Sequence, residues 1–140
     1  MKSLVPVRVL YGVAAAYDGL LGLSFLVAGA QIFGMLGITP PNHWGYVHFS
    51  AGLLVIFGLM FLTIARNPVE NRNLVIFGVL LKVCYVSTVA FHMSQGYVPG
   101  IWKYFAVADV VFAILFLWSF KPLAHAVKSV RLAGATPASV

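Results

Sequence analysis

The chain has 140 residues, of which 61% are hydrophobic and 9% are charged, and its formal net charge is +6. Soluble domains contain about 25% charged residues, so this composition excludes a soluble protein and indicates that the lipid bilayer is its solvent and first partner. The basic residues lie at the ends of apolar runs, and the sequence has no RNA-binding motif or lysine-rich tract, which excludes a nucleic-acid partner.

Four apolar runs are long enough to cross about 30 Å of hydrocarbon, which takes roughly 20 helical residues. They cover about Val7–Phe33, His43–Ala65, Asn73–Met93 and Trp102–Phe120. Short connections containing Gly, Pro or Asn favour antiparallel neighbours. The sequence therefore predicts one all-α domain over residues 1–120, an integral membrane four-helix bundle with up-down-up-down topology. In the first span, two pairs of small residues, Gly12 with Ala16 and Ala15 with Gly19, are spaced for close helix packing, and packing within the chain is favoured over packing against a second copy.

The two ends of the sequence need separate interpretations. The first residues have signal-peptide features, but the uninterrupted apolar stretch Val9–Val13 is short for one, so we expect an uncleaved first span. Residues 121–140 form a basic tail, expected to be a short amphipathic helix on anionic cytoplasmic lipid, with a disordered end, "AGATPASV". Its polar side consists of Lys121, His125, Lys128 and Arg131.

The distribution of basic residues predicts the orientation in the membrane. Seven of the nine Lys and Arg residues fall on the side that holds both chain ends, and Lys103 falls on the other. By the positive-inside rule, both termini are then cytoplasmic. The residues expected to anchor the helices at the membrane interfaces are Trp44, Trp102, Tyr97, Arg66 and Arg72.

Three ionisable residues lie inside the predicted spans: Asp18 in the first, Lys82 in the third and Asp109 in the fourth. A rise of about 1.5 Å per residue places all three roughly 14–20 Å from the cytoplasmic side. Three unpaired charges at that depth would cost roughly 8–10 kcal/mol. We therefore expect the three side chains to turn inward and meet as a buried Asp-Lys-Asp centre.

The predicted centre has two further features. Tyr11 and Tyr85 lie at depths from which they are expected to supply hydroxyl groups to it. Two carboxyls beside one amine leave an unbalanced negative charge, which a proton on one carboxyl, a ligand cation or a proton pathway would use. An alternative interpretation gives the centre only a structural role, in fixing helix register. The default association of intramembrane ionisable residues with function favours the functional interpretation.

The remaining candidate residues carry weaker signals. His48 and His92 are the one pair that facing helices could bring together around a metal, but no ligand spacing supports a metal site. Cys84 is the only cysteine, so no disulfide can form within the chain. The sequence contains no hydrolase, metalloprotease, nucleotide-binding or dinucleotide-binding motif, which favours a protein that is not an enzyme and leaves the cofactor undetermined.

Three stretches carry a resemblance to a known family: "RVLYG…FLVAG" in the first span, "NPVENRNLVIFGVLLK" leading into the third, and "WKYFAVADVVF" in the fourth. They are similar to small bacterial four-span membrane proteins of the DoxX-like kind. Gln31 stands where many DoxX-like proteins have a basic residue, which favours an uncharacterised relative. The resemblance implies a four-helix bundle in the bacterial inner membrane, in some members a subunit of a quinone-linked or other membrane oxidoreductase assembly.

Three functions are compatible with these residues. The first is a non-catalytic membrane subunit or homo-oligomeric binding protein, whose polar centre fixes assembly or binds a small apolar ligand such as a lipid or quinone. The second is a proton-linked small-molecule carrier that uses the same centre. The third is a membrane enzyme that acts on a lipid or quinone, with the carboxyls as acid and base. The absent catalytic motifs and the resemblance favour the first, with other membrane subunits or a second copy as partners.

Overall fold

The computed structural model describes residues 4–134, with side chains up to residue 132. Over this range the chain is helical and contains no strand. Its helices are α1 (Val5–Met35), α2 (Gly45–Arg66), α3 (Val75–Gln95) and α4 (Gly100–Gly134), and a short 3₁₀ turn, Arg72–Leu74, leads into α3. All four helices are long and apolar enough to cross a bilayer. The prediction of an all-α integral membrane protein is confirmed.

Local sequence explains where α1 begins and ends. Pro6 lies in its first turn, where the missing N–H removes no helical hydrogen bond. Gly37 follows the helix with φ +62°, a left-handed conformation that glycine adopts at little steric cost. The N–H of Gly37 donates to the Gly34 carbonyl at 3.2 Å. Within α1, Ala28 departs from helical geometry (φ −128°, ψ 24°) and marks a kink.

Helix α4 is longer than the sequence predicts. The expected span ends at Phe120, but the helix continues through Pro122 to Gly134. Leu123 is 1% exposed and belongs to the buried core, so packing of the extension offsets the hydrogen bond that Pro122 cannot donate. The basic tail is thus continuous with α4. Residues 135–140 of the expected disordered end lie outside the described residues, as does Lys2.

Small residues bring α1 and α2 into close contact. A Cβ added at Gly58 would lie 2.9 Å from the Gly19 Cα and 3.1 Å from the Ala15 carbonyl oxygen. Gly22, further along α1, meets Ala51, an earlier residue of α2. Contacts at later residues of α1 are therefore made with earlier residues of α2. The close approach predicted for Ala15 and Gly19 is confirmed within the chain, whereas no atom lies within 4 Å of a Cβ added at Gly12.

The largest buried cluster lies in one half of the bundle. We call this the terminal half, because it holds the start of α1 and the end of α4, together with the end of α2 and the start of α3. The Tyr11 and Phe116 rings stack with their centroids 4.9 Å apart, and the Phe61 centroid lies 5.1 Å from that of Phe116. All three rings are fully buried. Phe61 also lies against Gly78 of α3, so α2 and α3 are in contact at this level.

The opposite half, the distal half, is packed differently. Its aromatic cluster contains Phe25 and Phe33 of α1, Trp44 before α2, and Trp102 of α4, with Phe33 and Trp44 centroids 5.3 Å apart. Among the described residues, none of the members of this cluster comes from α3. Helices α1, α2 and α4 therefore share the packing of the distal half, and α3 leaves space beside them.

Gly58→Ala should lower the thermal unfolding temperature in detergent, because the added methyl group meets the α1 backbone. Overpacking of this kind costs roughly 1–3 kcal/mol. Gly52→Ala is the matched control on the same helix, since no atom lies within 4 Å of its added Cβ. Thermal melts followed by circular dichroism compare the two, and equal unfolding temperatures would contradict this packing.

Candidate functional site

The ion pair between Lys82 and Asp18 lies at the centre of the site. Nζ of Lys82, on α3, donates to Oδ1 and Oδ2 of Asp18, on α1, at 2.8 and 2.9 Å. Both side chains are 1% exposed. Because a buried charge without a partner costs several kcal/mol, each residue requires the other. The predicted meeting of these side chains inside the bundle is confirmed.

Asp109 of α4 completes the predicted Asp-Lys-Asp centre, but with a less well-aligned contact. Its Oδ1 lies 2.9 Å from Nζ of Lys82, yet this oxygen has no hydrogen-bond partner among the described residues. The contact is therefore ionic without hydrogen-bond geometry. The Asp109 side chain is 8% exposed, whereas that of Asp18 is 1% exposed. Asp109 is thus the more accessible of the two carboxylates.

Two aromatic rings flank the lysine. Nζ of Lys82 lies 5.2 Å from the centroid of the Tyr17 ring and 5.4 Å from that of Phe112, which is within the range of cation–π attraction. Sequence reasoning missed Tyr17 because it directly precedes Asp18, and successive residues on a helix do not share a face. The position of Tyr17 next to an intramembrane acidic residue was the sequence feature that could have indicated its proximity to the charged centre.

Tyr11 and Tyr85 direct their hydroxyl groups to other partners. Oη of Tyr11 lies 3.0 Å from Oγ of Ser119, and Ser119 donates its own proton to the Phe116 carbonyl, so Tyr11 is the donor. Tyr85 donates to the carbonyl oxygen of Trp102 at 3.3 Å. Neither of these hydrogen bonds joins the Asp-Lys-Asp centre. Tyr11 belongs to the core of the terminal half, and Tyr85 lines the cavity described next.

A cavity of about 480 Å³ lies on the distal side of the centre. Its floor is formed by Tyr17, Asp18 and Asp109. Its walls come from all four helices and are mostly apolar or aromatic. They include Phe25, Leu54, Leu81, Tyr85, Trp102 and Phe105. Ligand sites in proteins are typically roughly 300–1,000 Å³, apolar, with a few polar groups, so this cavity has the size and the lining of a small-molecule site.

The cavity opens sideways between α2 and α3. Among the described lining residues, those that are exposed at the molecular surface come from these two helices alone. They are Tyr46, Ser50 and Leu53 of α2, and Cys84 and Thr88 of α3. Because both helices are long and apolar enough to span a bilayer, an opening between them faces lipid and not an aqueous side. In the terminal half, the contact of Phe61 with Gly78 closes the gap.

The histidines do not form part of this site. His48 and His92, the weak metal candidates, are both exposed, and neither lines the cavity. Within residues 4–132, no group of three or more metal-ligating side chains comes together. The described part of the chain therefore provides no complete ligand set for a metal ion.

The predicted interface anchors occupy several environments. Tyr97 is 88% exposed, and Arg66 is also exposed. Trp44 and Trp102 are half-buried, and their rings contact an aromatic ring of α1. Arg72 is half-buried and donates through Nη1 to a backbone carbonyl of the preceding loop. Trp102 therefore contributes to the cavity wall in addition to any role at the membrane interface.

The Asp-Lys-Asp centre has groups that could bind a cation or a hydrogen-bond donor. With all three groups ionised, the centre has one net negative charge, which a proton or a cationic or hydrogen-bond-donating ligand group would satisfy. Comparisons of the chain with protein-family models, with curated proteins and with solved structures return no match. The functional argument therefore depends on the geometry of the Asp-Lys-Asp centre and its cavity.

Asp18→Asn should destabilise the protein more than Asp109→Asn. The first change removes the carboxylate that accepts two hydrogen bonds from Lys82, at a cost of about 3 kcal/mol. The second change removes only the ionic contact of Asp109 and leaves the ion pair of Lys82 and Asp18, whose charges balance. Thermal unfolding in detergent measures both variants. Equal losses, or a larger loss for Asp109→Asn, would show that the geometry of the ion pair does not determine stability.

Proposed function

We propose that the protein binds a small, largely apolar ligand, a lipid or a quinone in either redox state, in the cavity beside the Asp-Lys-Asp centre. In this proposal it acts as a non-catalytic membrane subunit or as a homo-oligomer. The observation that carries the proposal is the cavity, which joins a lipid-facing mouth to two buried carboxylates. The resemblance to DoxX-like proteins supports a redox assembly as the setting.

The proposal includes the arrangement in the membrane. The four helices cross the bacterial inner membrane in up-down-up-down order, with both termini in the cytoplasm. The distribution of basic residues supports this orientation. The order is supported by the contacts of α3 with α4, since Tyr85 meets Trp102 whereas the earlier Lys82 meets the later Asp109.

The sideways mouth supports a ligand that dissolves in the bilayer. Such a ligand would pass between α2 and α3 from the acyl chains without crossing an aqueous phase. The cavity walls, which include Phe25, Leu54 and Phe105, would bury its ring or chain. Burial of this kind contributes about 25 cal/mol per Å² of apolar surface removed from water, and less for a ligand that leaves lipid. Affinity would therefore depend on how closely the ligand fits the cavity walls and on the contacts that its polar end makes with the carboxylates.

The carboxylates determine the chemistry of that polar end. A carboxylate accepts hydrogen bonds, so the ligand group beside it must donate one. The hydroxyl group of a quinol or of a lipid headgroup donates such a bond. A quinone carbonyl only accepts, so it pairs with the carboxyl when the carboxyl carries a proton and donates it. Asp109 is better placed for this contact than Asp18, because its side chain is more accessible and does not accept two hydrogen bonds from Lys82.

Thr88→Trp should lower ligand retention at least about tenfold, because an indole at the mouth would fill the entrance between α2 and α3. The protein would be purified in mild detergent and incubated with a short-chain ubiquinol or with an extracted lipid mixture. Native mass spectrometry then counts the molecules that remain bound. The wild-type protein should retain one of the two probes.

Ser87→Trp is the matched control for this experiment. Ser87 is the neighbouring residue of α3, is also exposed, and does not line the cavity. The same increase in side-chain size at this position should leave retention unchanged. An equal loss in both variants, or a wild-type protein that retains neither probe, would contradict the proposed function.

A proton-linked carrier that uses the same centre is the second candidate. The observation in its favour is the unequal sharing of Lys82, which hydrogen-bonds to Asp18 and leaves Oδ1 of Asp109 without a hydrogen bond among the described residues. In a carrier, Asp109 would be the group that gains and loses the proton. A carrier must also open toward the terminal half. The stacked rings of Tyr11 and Phe116 close that path in this structure.

The carrier requires that Asp109→Asn abolish proton-coupled flux, since an amide at this position cannot titrate. Protein reconstituted into liposomes that contain a pH-sensitive dye provides the measurement. Lys103→Gln, an exposed charge change in the first turn of α4, is the control and should leave flux unchanged. Equal flux through the wild-type protein and Asp109→Asn would exclude the carrier.

A further inference from the structure

A second groove, of about 710 Å³, lies at the end of the terminal half. It runs between the start of α3, with its preceding 3₁₀ turn, and the extension of α4. Its basic residues are Arg72, Lys128 and Arg131, and its apolar residues include Ile76, Phe120 and Leu123. We call it the basic groove. It shares no lining residue with the cavity beside the Asp-Lys-Asp centre.

The positive charges of the basic groove come from the 3₁₀ turn before α3 and from α4, and no acidic side chain of residues 4–132 forms an ion pair with them. Nη1 of Arg72 donates to the Val69 carbonyl at 2.9 Å, which holds the guanidinium in place beside α3. Lys128 and Arg131 are three residues apart and therefore share a face of α4. Glu70, the only acidic residue outside the helices, makes no ion pair with them within the described residues.

The length of α4 places this charge at the membrane surface. Its 35 residues extend about 52 Å at 1.5 Å per residue, whereas the hydrocarbon core is about 30 Å thick. The extension that carries Lys128 and Arg131 therefore continues beyond the hydrocarbon. Phe120 precedes them by about two turns and lies nearer to the acyl chains, as does Ile76 in relation to Arg72.

We infer that the basic groove binds one anionic phospholipid, with its phosphate against Arg72, Lys128 and Arg131 and an acyl chain along Ile76 and Phe120. Basic pockets between membrane helices at this level fit anionic headgroups. The apolar part of the groove favours a phospholipid over free phosphate, because an inorganic ion would leave that surface uncovered. This site is separate from the proposed ligand cavity and does not depend on it.

The test measures lipid binding to the full chain in mild detergent by native mass spectrometry. The probes are phosphatidylglycerol, which is anionic, phosphatidylcholine, which is zwitterionic, and inorganic phosphate. Phosphatidylglycerol should bind in preference to the other two. The double variant Lys128→Gln/Arg131→Gln should lose about 25-fold in affinity for it, since each basic residue near a membrane surface contributes about fivefold.

Two further variants distinguish a defined binding site from nonspecific attraction by surface charge. Lys121→Gln removes one charge from an exposed position of α4 outside the groove, and it should leave affinity for phosphatidylglycerol unchanged. Ala124→Trp fills the groove from an exposed lining position without changing charge, and it should lower that affinity at least about tenfold. Thermal melts check that each variant is folded.

Several outcomes would overturn the inference. A loss of affinity in Lys121→Gln equal to the loss per removed charge in the double variant would show that the extension attracts anionic lipid without a defined site. Equal binding of phosphatidylcholine would show that the phosphate charge is not recognised by the basic residues. Inorganic phosphate that competes with phosphatidylglycerol at equal concentration would indicate a simple anion site. Unchanged affinity in Ala124→Trp would exclude the groove as the place of binding.

Discussion

The ion pair between Lys82 and Asp18 is the constraint on which the rest of the structure depends. A lysine buried within a membrane-spanning helix is costly unless it is paired, and its pairing with Asp18 makes α1 and α3 present their charged positions to each other at one depth. Asp109 brings α4 to the same point. The depth and rotation of three helices are thereby determined together. Helix α2 is positioned separately, through the close approach of Gly58 to the backbone of α1.

The two halves of the bundle differ because the side chains available to fill them differ. In the terminal half, the rings of Tyr11, Phe61 and Phe116 meet at the bundle axis, and Gly78 lets α3 come against Phe61. In the distal half the clustered aromatic residues lie on α1, α4 and the segment before α2, and Tyr85 of α3 lines the cavity without joining that cluster. The cavity is the space that remains, and the carboxylates lie where the two kinds of packing meet.

The place of the polar centre was predictable from the sequence because a charge in hydrocarbon is costly and its depth can be counted along a helix. The hydrogen bond from Tyr11 to Ser119 was not predictable, since depth does not give the direction of a side chain around the helix axis. The fourth span was predicted to end at Phe120 because the apolar run stops there, whereas the burial of Leu123 extends α4 through Pro122. The cavity depends on distances between helices, which no local pattern contains.

For the proposed ligand, the opening between α2 and α3 would make the concentration in the bilayer, and not the concentration in water, the one that governs occupancy. A ligand that enters from the acyl chains is diluted only by other lipids, so its mole fraction in the bilayer replaces its concentration in water. Modest intrinsic affinity then suffices for a filled cavity when the compound is an abundant membrane component. Occupancy would follow changes in the composition of the membrane itself, including the ratio of reduced to oxidised quinone if Asp109 distinguishes a hydroxyl group from a carbonyl.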